Sequence, residues 1–181
     1  MEHSAGVAWL DEDLTLDHLK DADKFSEFLA AQPHNYNGTK TRAYHAQTRG
    51  WYLNEIVRRA DRQHRTIGQI VQEEIMGAYD VEWYFNPGQE LDHRISKPYT
   101  TPLYQLIRRI MTPTWLYTLA EPVNPMYVAF QDKNGATIKS LGQSAPDNRD
   151  LLQLQRPDIR RFESPSFSGH TNARSVRLLR R

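Results

Sequence analysis

The side chains best suited to chemistry in this chain are arginines, and their spacing suits phosphate contact more than bond making. Arg58, Arg62 and Arg65 fall at i, i+4 and i+7, so a helix reaching that far carries three guanidinium groups on one face. A guanidinium fork matches phosphate oxygens bidentately. Glu55, Asp61, Glu73 and Glu74 are close in sequence, and a solvated face balanced by them is the competing reading. Thr66 and Gln69 have the spacing of a capping box, which starts a new helix at Thr66. Gln69 and Gln72 then lie in its opening turns, where a recognition helix reads bases and where glutamine pairs with adenine edges. A second group, Arg156, Arg160, Arg161, Arg174, Arg177, Arg180 and Arg181, is opposed only by Asp158 and Glu163.

Catalytic and metal-binding patterns are missing from the sequence. The histidines at 3, 18, 34, 45, 64, 93 and 170 form no HxH, HExxH or HxxxH spacing, so no metal site and no cofactor is expected. There is no GxSxG, SxxK, GxGxxG or GxxxxGK[ST]. With no cysteine, thiolate metal sites, disulfides and thiol nucleophiles are excluded. A metal-independent nuclease or toxin-like enzyme would have to draw on His93, Arg94 and Tyr99. Trp51 with Tyr52, and Trp83 with Tyr84 and Phe85, are either stacking platforms for bases or core residues.

Those side chains need elements to position them. Leu53, Ile56, Val57 and Ala60 share a helical face, and Ile67, Ile70, Val71, Ile75 and Ala78 repeat it, so both stripes are expected in a core. Thr48 to Tyr79 therefore reads as two helices joined by a turn over 62–65. Upstream, residues 1–12 read as an arm with Trp9 and Leu10 able to dock. Leu16 to Ala31 reads as one or two helices, and 32–38 as a loop. Downstream, Val81, Trp83 and Phe85 alternate, as do Leu91, His93 and Ile95, around Asn86-Pro87-Gly88, which predicts a hairpin. Helix, helix-turn-helix and hairpin is the element order of a winged-helix DNA-binding module. The tip, Asn86 to Glu90, carries no arginine or lysine.

Thr101-Pro102 starts a further helix over 102–111 with Leu103, Leu106, Ile107 and Ile110 as its stripe. Asn134-Gly135 between alternating runs predicts a three-stranded antiparallel meander over 114–142. The expected class is α+β. A helical and hairpin module spans 1–98, a helix with a meander spans 99–142, and a polar, Arg-rich extended tail spans 143–181, ordered only against a partner.

Composition narrows the function. With 181 residues, 39% hydrophobic and 25% charged, the chain suits a globular protein with a sizeable core. Net charge is +1, so any phosphate recognition has to come from local patches. No apolar run is long enough to span a membrane, and the N-terminus lacks the basic-then-apolar order of a secretory signal, so no membrane partner and a cytoplasmic location are expected. The first expectation is a non-enzymatic nucleic-acid-binding protein that uses Arg58, Arg62, Arg65, Thr66, Gln69 and Gln72 together with Arg160, Arg161, Arg174 and Arg177. The alternative is a structural or adaptor subunit of a larger assembly, such as a viral or phage particle, bound to other protein subunits or to its own copies. The nuclease reading is the third.

Overall fold

The N-terminal arm is the first element to find a place, and it does so through backbone hydrogen bonds. The structure, a computed structural model, describes residues 2–96 and 156–180 and isolated positions 102, 104, 105, 135, 136, 139 and 140 between them. Ala43 N–H donates to the His3 carbonyl at 3.0 Å and Asn35 N–H to the Gly6 carbonyl at 2.7 Å. The Asn35 side chain bridges Trp9, accepting from its N–H at 3.2 Å and donating to its carbonyl at 3.3 Å. Gly6 has φ +74° and its Cα lies against the His34 ring, so a side chain there meets both strain and a clash. These bonds lower Leu10 and Leu14 into the core.

That core is small. Leu10, Leu14, Leu29 and Trp51 are its buried members, with Leu19, Phe25, Phe28, Tyr52 and Phe167 packed around them. Helix α1 (Leu16–Lys20) starts at Thr15, and α2 (Ala22–Ala31) starts at Asp21, whose carboxylate accepts from the N–H groups of Asp23 and Lys24. Helix α3 (Thr48–Ala60) brings Trp51 edge-on to both Phe25, at 5.3 Å, and Phe167, at 5.5 Å. Trp51 and Tyr52 are thus packing residues. The Tyr52 hydroxyl donates to the Leu29 carbonyl at 3.0 Å, and burial pushes its pKa up to about 12.

The second helix begins where the capping box puts it. Thr66 accepts from Gln69 N–H at 3.2 Å, and Thr66 N–H donates to the Gln69 side chain at 2.8 Å. Helix α4 (Ile67–Ile70) runs into a π-helical stretch (Val71–Met76) and then α5 (Gly77–Tyr79), closed by Asp80 in the left-handed region at φ 51°. The wider i→i+5 winding holds Ile70 and Ile75 closer to one face than an α-helix would.

Three expectations change here. The 81–95 hairpin does not form. Trp83–Tyr84 (β1) instead pairs antiparallel with His170–Thr171 (β2), in the register Trp83 with Thr171 and Tyr84 with His170. Gln89–Arg94 winds into a 3-10 helix, because Gly88 and Glu90 favour a turn and Leu91 N–H reaches the Gly88 carbonyl at 3.1 Å. The winged-helix order therefore loses its wing. The stripe of α3 expected in the core also turns outward: Thr48, Gly50 and Trp51 are buried, while Ile56 is 57% exposed. The inward side below Trp51 is taken by Glu55 and Arg58, which bond to α2. Finally, residues 156–180 pack onto the N-terminal helices and do not extend away from them. Ile159 is buried against Leu16 and Phe167, and helix α6 (Ala173–Leu179) buries Ser175, whose hydroxyl accepts from Glu82 N–H at 2.8 Å. Helices with a two-stranded antiparallel sheet remain an α+β arrangement. The helix expected over 102–111 and the meander over 114–142 lie outside the described residues, apart from the isolated positions.

Candidate functional site

The arginines expected to hold phosphate are mostly held by carboxylates of this chain. Arg58 bonds Glu55 at 3.0 Å and Asp23 at 3.2 Å, and both its partners raise its pKa, Glu55 first. Burial works to raise the Glu55 carboxyl, but the hydrogen bonds from Arg58, Arg59 and Ser26 outweigh it and hold Glu55 below its usual value. Arg65 is held more fully. It reaches Asp61 at 2.9 Å, Glu73 at 3.0 Å and Glu74 at 2.9 Å. Asp61 also accepts from the N–H groups of Gln63 and Arg65, both at 3.0 Å, and this fork holds its carboxyl far below the ordinary range. Arg62, between them, is exposed and makes no ion pair among the described residues. Only one of the three guanidinium groups is therefore open to a phosphate.

The start of α4 is occupied as well. Glu163 accepts from the Thr66 hydroxyl at 2.7 Å with one oxygen and from Gly68 N–H at 2.7 Å with the other. Free N–H groups at a helix start favour an anion, and here the chain supplies its own. Gly68 is buried, and a Cβ there would lie 2.6 Å from the Glu163 carboxylate. Gln69 spends its side-chain oxygen on the capping box, and Gln72 is exposed. In the sequence Glu163 reads only as a charge opposing the C-terminal arginines; its pairing with a helix start 95 positions away leaves no local signal.

The C-terminal arginines divide in the same way. Arg160 and Arg161 converge on Asp92, Arg161 at 3.5 Å, and the Arg160 hydrogen bond leads in holding the Asp92 carboxyl below its usual value. Arg174 pairs with Asp80, while Arg177 is exposed and makes no ion pair among the described residues. Arg156 pairs with Asp158.

The nuclease set is not assembled among the described residues. His93 is exposed, Arg94 bonds Glu82 at 2.8 Å, and Tyr99 lies outside them. Among the described residues no group of three or more histidines, aspartates or glutamates is placed to hold a metal ion, and no helix is long and apolar enough to cross a membrane.

The other open concavity lies between the arm and α3. His3, His45 and Arg49 are shared by a cavity of about 210 Å³, which reaches Val7 and Tyr52, and one of about 270 Å³, which reaches Tyr44 and Ser166. His45 is structural: its Nδ1–H donates to the Ala43 carbonyl at 2.6 Å and its Nε2 accepts from Val7 N–H at 3.4 Å. Burial holds its pKa below 6.5, outweighing that bond to Ala43, which works to raise it. A comparison with protein-family models found no match to this chain, and none was found among curated proteins.

Proposed function

We propose that this chain is a non-enzymatic structural or adaptor subunit that binds other protein subunits, its own copies included. The observation that carries this reading is the outward apolar stripe of α3. Ile56 is 57% exposed, with Leu53 and Val57 half-buried beside it, on a helix whose inward side is already filled. Tyr79, Val176 and Leu179 add further exposed apolar surface. An exposed apolar stripe along one helix suits protein contact. The paired arginines support the same reading, because a guanidinium already bonded to two or three carboxylates gains little from phosphate. Light scattering over a concentration series tests it. A concentration-dependent mass that Ile56→Asp abolishes, with unfolding stability kept, is the expected result, and a monomer that captures no subunit at any concentration sinks the idea.

A second reading, nucleic-acid binding, rests on Arg62 and Arg177, which are exposed and unpaired among the described residues. Gel-shift assays with duplex and single-stranded probes over a salt series separate the two readings. Affinity that falls steeply with salt and drops in Arg62→Ala with Arg177→Ala favours nucleic acid. Under this reading Gln69→Ala leaves sequence preference unchanged, since its side chain closes the helix start.

A further inference from the structure

We propose that the concavity walled by His3, His45 and Arg49 is an anion site that takes a phosphate group. The proposal does not rest on the subunit reading. Arginines elsewhere in the described residues are mostly matched to carboxylates: Arg58, Arg59, Arg65, Arg94, Arg156, Arg160, Arg161 and Arg174 each have one. At this place the pattern breaks. Arg49 and Arg42 are exposed and make no ion pair among the described residues, and Lys40 with Arg42 lines an adjoining cavity of about 340 Å³. Among the described residues Glu2 is the one carboxylate on the walls of these cavities, and no ion pair there ties it to any of the three cations.

Donor geometry fits the charge. His45 N–H donates to His3 Nδ1 at 3.1 Å, which leaves the His3 proton on Nε2 in the neutral ring. His3 and Arg49 border the same two cavities, and Ser166 borders the larger one. An imidazole N–H, a guanidinium fork and a hydroxyl are donors suited to a tetrahedral oxyanion. The electrostatics agree: burial first, then the charges of His45, Arg49, Arg42 and the N-terminal amine, hold the His3 pKa below 6.5. The groups facing the site are thus His45, Arg42, Arg49 and Lys40 against Glu2, with the phenols of Tyr44 and Tyr52. Tyr44 is exposed, with its ring 5.1 Å from that of His3, so a base attached to the phosphate has a surface to stack on.

The test is an NMR titration of the His3 imidazole in the full chain with a free N-terminus, against inorganic phosphate, adenosine monophosphate and a short single-stranded oligonucleotide. Phosphate is expected to raise the His3 pKa saturably. Arg49→Ala is expected to weaken binding about tenfold or more, as loss of a charged hydrogen bond does. Arg49→Lys retains part of the affinity, and Arg62→Ala leaves it unchanged. Tighter binding of the nucleotide than of phosphate, lost in Tyr44→Ala, assigns a nucleotide. Equal affinities assign free phosphate, and preference for the oligonucleotide assigns a nucleic-acid backbone. An unmoved His3, or an equal shift with chloride at matched ionic strength or in Arg49→Ala, overturns the proposal.

Discussion

Glu163 joins the C-terminal segment to the start of α4. Its two oxygens tie the C-terminal segment to the Thr66 hydroxyl and to Gly68 N–H. Glu163→Ala is expected to cost about 1–3 kcal/mol, since it strips a charged partner from two donors at once. Urea unfolding measures it. Gly68→Ala pushes a methyl into the same carboxylate, so the two substitutions combined should cost clearly less than their sum. His45 sets a pH dependence of opposite origin. Its folded pKa lies below 6.5, so between that value and 6.5 the unfolded chain binds more protons. Stability therefore rises with pH through this window and falls on acidification. His3, also lowered, adds to the slope. Unfolding curves from about pH 7 to about pH 5 should show the loss, and His45→Gln should flatten it.

At the scale of elements, the helix pair depends on its caps and on the segment that returns to it. Thr66→Ala removes the capping box and one Glu163 bond together, and is expected to cost more than the roughly 1 kcal/mol of a cap alone. Removing residues 156–181 takes away β2, Ile159, Phe167 and Glu163 in one step. Loss of cooperative unfolding in that truncation is the expected outcome, read by circular dichroism during heating. A truncated chain that melts as sharply as the whole would show the segment to be dispensable. Helix α3 makes the opposite prediction. Because Ile56 is exposed, Ile56→Asp should change stability by no more than about 0.5 kcal/mol while it alters assembly.

At the scale of the molecule, ion pairs join segments of the described residues that lie far apart in sequence. Arg160 and Arg161 with Asp92, Arg174 with Asp80, and Arg58 with Asp23 each join separate stretches of chain. Asp61, Asp92 and Glu82 all have carboxyls held below their ordinary values, in each case by an arginine hydrogen bond first. Their contribution is complete above the unfolded carboxylate pKa and is lost as pH falls through the lowered folded values. Acid should therefore loosen the C-terminal segment in a second step below the histidine window. Hydrogen exchange at β2 and α6, followed as pH falls, checks this.

How much of this was legible in the chain depends on the range of the interaction. Local signals are legible: the Thr66–Gln69 capping box and the division of 48–79 at Thr66 are short-range matters of spacing and capping. The hairpin does not form because alternation in Val81, Trp83 and Phe85 says that a strand forms and not which strand it meets; Tyr84 pairs with His170, 86 positions on, and Trp83 with Thr171, 88 positions on. The α3 stripe failed because periodicity locates an apolar face but not the direction in which it points, and Trp51 with the Glu55–Arg58 pair decided that. Arg58, Arg62 and Arg65 do not share one helix, because α3 ends at Ala60. Whether their charges are free is a question of tertiary distance, answered by Asp23, Glu55, Asp61, Glu73 and Glu74. By itself, then, the sequence determined the helix over 48–60 and the capped start of the next at Thr66, because each rests on neighbours within a few residues. Only the tertiary structure decided which cations among the described residues are spent and which, at Arg42, Arg49, Arg62 and Arg177, make no ion pair, because charge pairing depends on distance in space and not on distance along the chain.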